Sequence, residues 1–231
     1  MRENYTSRKL DIVFCMDGTG SMDCCIESVK NNARLLYKKI QEEMERNSNV
    51  VDALRIKVIV FRDYKSDGAN AMVESEFFEL PADEKYFDDY LSKIEAIGGC
   101  GEDANGLEAL YYAMKSNFAA TDKKDRQIIV LFADTPPIPI KNRKGYPYYP
   151  DDMVDYNGLI YTWNKFQGYD SSLTEKGKRL IMYAPSQSEY DRLSRQLEKS
   201  IFVPVEMHRG LDDVSMDDII KMIVASASAK Y

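Results

Sequence analysis

Asp17, Thr19 and Ser21 occupy alternate positions in Asp17-Gly-Thr19-Gly-Ser21, directly after the apolar run Leu10-Asp-Ile-Val-Phe-Cys-Met16. One carboxylate and two hydroxyls at that spacing are the oxygen donors of a hard divalent cation, which points to Mg²⁺, Ca²⁺ or Mn²⁺ rather than a soft metal. The two glycines permit a turn tight enough to fold around an ion. A second carboxylate, Asp134, ends the run Ile128-Ile-Val-Leu-Phe132-Ala133 and precedes Thr135-Pro136-Pro137, where two prolines stop a strand. The plainer alternative is that Gly-Thr-Gly-Ser turns the chain and caps a helix, for which Asp and Ser are good N-caps.

The elements that must hold these donors are legible from periodicity. Met22, Ile26, Val29, Ala33, Leu36, Ile40 and Met44 recur at spacings of three and four, so a long amphipathic helix follows the turn. A buried strand is expected at 56–61, a more exposed antiparallel edge strand from Met72 to Leu80, and a helix over 84–94. A second helix carries Leu107, Leu110, Tyr111, Met114 and Phe118 on one face, and 128–132 forms the next core strand. The stretch 138–177 reads as a long loop with a helical piece near 159–166, and loops of that length in compact domains usually carry function or move. Its tyrosines around Tyr146 to Tyr149 either cover the core or present an aromatic interface. Then come a strand at 179–184, a helix with Tyr190, Leu193 and Leu197, a strand at 201–205, and a terminal helix with Met216, Ile219, Ile220 and Ile223. Pro204 assigns the last strand to an edge.

Strands alternating with helices call for an α/β fold: a doubly wound, mostly parallel six-stranded sheet with one antiparallel edge strand. The expected order is 3-2-1-4-5-6 in one domain over 1–231, with a polar tail at 1–8. In that order strands one and four are neighbours whose connections leave in opposite directions, and ligands bind in the crevice at their C-terminal ends. Asp17 and Asp134 both fall there.

Composition narrows the partners. The 231 residues carry a formal net charge of −7, which argues against a general nucleic-acid or anionic-membrane binder because both need a basic face. The polar segment Met1 to Lys9 shows neither a secretory signal nor a membrane-spanning run, so a cytoplasmic location is expected. Four cysteines, two of them the adjacent Cys24-Cys25, suit reduced thiols better than a disulfide framework. Cys15 reads as a core residue; a redox-sensitive or soft-metal site formed by Cys24, Cys25 and Cys100 near the metal loops is disfavoured, because their spacing is not a zinc-ligand pattern. His208, the single histidine, reads as a surface residue beside the last edge strand rather than in the crevice.

These motifs resemble the metal-ion-dependent adhesion site of von Willebrand factor type A domains, whose first motif is Asp-x-Ser/Thr-x-Ser and whose last is an aspartate ending the fourth strand. The resemblance runs from about Arg8 to the end. Gly98-Gly99 and Asn105-Gly-Leu-Glu-Ala-Leu110 look like the second metal loop and its helix; Asp134-Thr-Pro-Pro, Lys178-Arg-Leu-Ile-Met-Tyr-Ala-Pro185 and Arg209-Gly-Leu look like the intracellular branch of bacteria and lower eukaryotes, near alpha-type kinases and tellurium-resistance operons. It implies that Thr19 and Ser21 bind Mg²⁺ (or Ca²⁺ or Mn²⁺) directly and that Asp17 and Asp134 do so directly or through water. A partner's Asp or Glu completes the shell. The kinases, phosphatases and AAA+ ATPases that accompany this branch are the partners it suggests. An ungapped match puts Gly101 where the family offers a second-loop ligand; the adjacent Glu102 and Asp103 supply a carboxylate after a one-residue shift, or else merely favour the next helix's dipole.

Two functions from different classes therefore stand side by side. One is a non-enzymatic, cation-dependent protein-binding module. The other is a Mg²⁺-dependent phosphoester-processing enzyme, because Phe14-Cys-Met-Asp17-Gly-Thr19 also resembles the Asp-x-Asp-Gly-Thr loop of haloacid-dehalogenase-type phosphatases, and Asp-Gly-Thr-Gly resembles a loop of actin-like ATPases. The phosphatase loop needs an aspartate nucleophile where this chain has Cys15, and the chain is short for the two-lobed ATPase fold.

Overall fold

A computed structural model describes residues 6–97, 103–165, 168–209, 211 and 214–229. In chain order the elements are β1 (Thr6–Asp17), α1 (Asp23–Arg46), β2 (Asn49–Phe61), α2 (Tyr64–Asp67), β3 (Met72–Glu74), β4 (Phe78–Leu80), α3 (Glu84–Leu91) and α4 (Gly106–Met114), followed by β5 (Arg126–Phe132), α5 (Tyr156–Asn164), β6 (Lys178–Pro185), α6 (Glu189–Ser194), β7 (Ser200–Val205) and α7 (Met216–Ser228).

The strands form one sheet in the order β3-β2-β1-β5-β6-β7, with β4 also paired to β2. All pairings are parallel except β3 and β4 on β2. The expected doubly wound order is therefore present, with the exposed edge strand divided in two. Ser75 divides it. Its amide donates to the Val58 carbonyl while its hydroxyl accepts from the Val58 amide, so a side chain replaces one rung of the ladder.

β1 is apolar on both faces because both are covered. Leu10, Ile12, Phe14 and Met16 pack with α1, α3 and α7, whereas Val13 and Cys15 pack with α4, α5 and α6. Pro204 lies on β7 at the sheet's edge, where its missing N–H costs no interior rung.

Several boundaries differ from the sequence expectation: α4 ends at Met114 and α6 at Ser194, so Phe118 and Leu197 lie beyond the helices expected to carry them, and three further differences follow. Thr6, Ser7 and Arg8 are not a tail: they extend β1 and pair with Asn49, Val50 and Val51, so β2 also begins earlier than residue 56. Polar side chains hid this pairing, which is made by backbone groups. The helix expected over 84–94 stops at Leu91, after which Lys93 and Ile94 turn back onto Tyr90 and Leu91 carbonyls. The helical piece in 138–177 runs over Tyr156–Asn164, three residues earlier than its apolar pattern suggests, because Asp155 caps it by accepting from the Gly158 amide.

Candidate functional site

The parallel register sets Met16 against Phe132, so the chain after β1 and the chain after β5 leave the sheet side by side. Asp17 and Asp134 are both fully buried there. Gly18 ties the turn to the next strand through its amide, which donates to the Phe61 carbonyl at 2.9 Å. A Cβ on Gly18 would fall 2.6 Å from Val60 Cγ1 and 2.8 Å from Arg62 Cζ, so only glycine allows this approach.

Arg62 fills the floor beneath the turn. Its Nε donates to the Gly18 carbonyl at 3.0 Å and the Ile97 carbonyl at 3.1 Å, and its other nitrogens reach the Asn70 and Glu95 carbonyls. The guanidinium is thus a scaffold for four carbonyls from three backbone segments. Only the position of Arg62 at the end of an apolar strand signals this role in the sequence.

The oxygens converge as follows. Asp17 Oδ1 accepts from the Thr19 amide at 2.9 Å, and Asp17 Oδ2 from Thr135 Oγ1 at 3.3 Å. Ser21 Oγ donates to Asp134 Oδ1 at 2.9 Å and lies 3.4 Å from Thr19 Oγ1. Asp17, Thr19, Ser21 and Asp134 are therefore brought together, with Thr135 as a member that sequence reasoning missed although it adjoins Asp134. The hydroxyls do not cap α1: neither the short 3₁₀ turn Gly20–Met22 nor α1 receives a side-chain cap. The plainer alternative accounts for the turn but not for where Thr19 and Ser21 point.

Burial, with the nearby Asp134 charge adding to it, pushes the Asp17 carboxyl up to about 6 despite the hydrogen bonds from Thr19 and Thr135. Two carboxylates sharing a dry crevice favour a bound cation. The spacing suits one. Neighbouring ligands of an octahedral ion with bonds of about 2.0–2.1 Å lie about 3 Å apart, and the longer bonds of Ca²⁺ widen that edge. The Ser21–Asp134 and Thr19–Ser21 separations of 2.9 and 3.4 Å fall in this range. The donors are two hydroxyls and two carboxylates; among the described residues no group of three or more His, Cys, Asp or Glu side chains gathers for a metal.

Of the second-loop residues, Gly101 and Glu102, with Gly98, Gly99 and Cys100, lie outside the described residues. Asp103 is exposed and lines a cleft of about 400 Å³ with Pro136, Ile138, Arg143, Met207 and His208. His208 is exposed as expected, yet it does not stand away from the crevice: its amide donates to the Asp134 carbonyl at 3.0 Å. The backbone after β7 turns back over the end of β5, which its sequence neighbours alone did not indicate. Cys15 is core, with its thiol against the Ala109 carbonyl, and burial pushes that thiol up. Cys24 is exposed and Cys25 buried, both as free thiols, and burial pushes Cys25 up to about 12.

The first part of the 138–177 stretch is strapped beside the site. Arg143 forms a two-pronged ion pair with Asp63, Tyr149 donates to the buried Glu108 at 2.8 Å, and the Tyr149 ring meets Tyr64 edge-on. Tyr149 thus covers core, as one of the two readings of the tyrosine cluster expected, while Tyr146 and Tyr148 are exposed.

No protein-family model matches the chain, and no curated protein matches it by sequence. Among solved structures it is similar to the pilus adhesin SpaC from Lactobacillus rhamnosus GG, with a TM-score of 0.54 at 10% identity over 96% of this chain and 31% of that one. An open conformation of the same adhesin gives 0.50 at 11% identity over 96% and 30%. The chain thus spans about a third of that protein's length, and at this identity the likeness concerns the fold. No helix among the described residues is long and apolar enough to cross a membrane.

Proposed function

We propose that the chain is a divalent-cation-dependent protein-binding module of the von Willebrand factor type A kind. The supporting observation is the pairing of two buried carboxylates, Asp17 and Asp134, with the convergent hydroxyls of Thr19 and Ser21. Thr19, Ser21, Asp17 and Asp134 would hold Mg²⁺, with Ca²⁺ or Mn²⁺ as alternatives and Asp103 or Glu102 as a further ligand. A cation bound there would supply positive charge and an open position for a carboxylate.

The chain's own residues prepare that position. Thr135 and the Thr19 amide fix Asp17, Ser21 fixes Asp134, and Arg62 holds the turn that carries both hydroxyls. The ligand is then an Asp or Glu of a partner protein. The family resemblance makes a kinase, phosphatase or AAA+ ATPase the kind of partner to look for, and free thiols accord with a cytoplasmic setting. The phosphatase alternative draws no support from Cys15, which lies inside β1 against α4.

Calorimetry with Mg²⁺ tests the site, and capture of partners with and without chelator tests the function. Wild type is expected to bind the ion and Asp134→Ala to lose it. If partner binding survives both EDTA and Asp17→Ala, a cation bridge is not the mechanism.

A further inference from the structure

The crevice borders a second feature that metal binding leaves unexplained. A cleft of about 260 Å³ opens beside the turn, walled by Val60, Val73, Ile94 and Ile97, with Arg62 and Lys93 at its floor and rim. Two hydrogen bonds join it to the site: the Ile97 amide and Arg62 Nε both donate to the carbonyl of Gly18, the residue between Asp17 and Thr19. Cleft and turn therefore share one backbone anchor.

Two of its wall residues remain in water, Ile97 at 49% and Val73 at 38% exposure. Exposed apolar residues scattered singly need no explanation, but these two face one concavity. Small-molecule sites usually enclose about 300–1,000 Å³, so this smaller volume fits a side chain of a bound segment better than a whole cofactor. Charge points the same way. Lys93, exposed on the rim, offers an ammonium to an acid of the segment, whereas the buried Arg62 is engaged by backbone carbonyls beneath the turn.

We propose that this cleft receives a large apolar side chain next to the carboxylate that the partner presents to the crevice. The preferred partner segment is then acidic-apolar: an Asp or Glu with Leu, Ile, Met or Phe close by. This deepens the metal-dependent function and rests on it. The carboxylate provides the cation-dependent contact, and the apolar neighbour provides selectivity among the many acidic surfaces a bare cation would accept.

The test is a displayed library of short linear peptides with one fixed Glu and randomised flanks, selected on the full chain in Mg²⁺. Wild type is expected to enrich a large apolar residue at one or two flanking positions. Ile97→Asp and Val73→Asp, both at exposed positions, should keep Mg²⁺ affinity by calorimetry and keep Glu-dependent capture, yet lose that enrichment. The best wild-type peptide should bind them at least about tenfold more weakly. Tyr86→Asp, exposed elsewhere, should change nothing. Capture of Glu peptides with random flanks, or equal enrichment on Ile97→Asp, overturns the apolar subsite while leaving the cation site intact. Enrichment that persists in EDTA overturns the coupling of cleft to cation, and failure of wild type to bind Mg²⁺ removes both readings.

Discussion

Two aspartates six residues apart on β1 have opposite surroundings. Asp11, on the side of the sheet where its strands begin, is gripped by Arg55 through two bonds of 2.8 and 2.6 Å and accepts from the Ala119 and Ala120 amides. Asp17, where β1 ends, receives an amide, hydroxyl donors and a neighbouring carboxylate. The contrast extends along both edges. At the strand beginnings the buried Arg8, Arg179 and Arg126 donate to the Ala227, Ser226 and Ala229 carbonyls at the C-terminal end of α7, whose orphan acceptors need such donors. One edge is charge-matched from within and stabilises the fold; the other concentrates negative charge and suits an external cation.

The largest expected effect lies at the matched edge. Arg179→Met should cost about 2–4 kcal/mol in urea unfolding, because carbonyls of α7 and of the β6 entry lose a charged donor. Mg²⁺ affinity of the folded variant should be unchanged; if it falls as much as stability does, the two edges are not separable.

At the acidic edge, Mg²⁺ at a hundredfold its Kd should stabilise wild type by about 2.7 kcal/mol, read as a rise in Tm, with no rise for Asp17→Ala. A smaller effect, opposite in sign to that of Arg179→Met, is expected for Asp134→Asn. In chelator this substitution should stabilise by about 0.5–1 kcal/mol, since it removes a like charge beside Asp17 while an oxygen still faces Ser21. A destabilised Asp134→Asn would show that the acidic edge is not strained by its own charge.

Glu108, on α4 and outside both sets of charges, is a further buried acid that pH can test. Burial raises its carboxyl from the ordinary 4.5 despite the bonds from Tyr149 and the Lys141 amide. Its folded value exceeds its unfolded one, so as pH rises from 4.5 through the raised value the unfolded chain ionises first and wild type loses stability. Glu108→Gln cannot ionise. Its Tm should match wild type below that window and exceed it above, and parallel curves would show that this carboxyl does not titrate on its own.

Much of the site was legible in sequence because its members lie close in the chain or close a strand. Asp17, Thr19 and Ser21 share one turn, and Asp134 is marked by the prolines behind it. Thr135, Arg62 and the Glu108–Tyr149 contact were not legible. Each takes its meaning from a residue brought near by folding, 118 positions away for Thr135 and Asp17 and 41 for Glu108 and Tyr149.

Taken alone, the amino-acid sequence determined the alternation of strands and helices and the two strand-end aspartates, because hydrophobic period and turn residues are local properties of a chain. Only the tertiary structure decided that the Thr19 and Ser21 hydroxyls turn to each other and to Asp134 instead of capping α1, and that an apolar cleft opens beside them. Side-chain direction and concavity depend on which strands lie side by side, and parallel pairing across β1 and β5 is set by packing over the whole sheet.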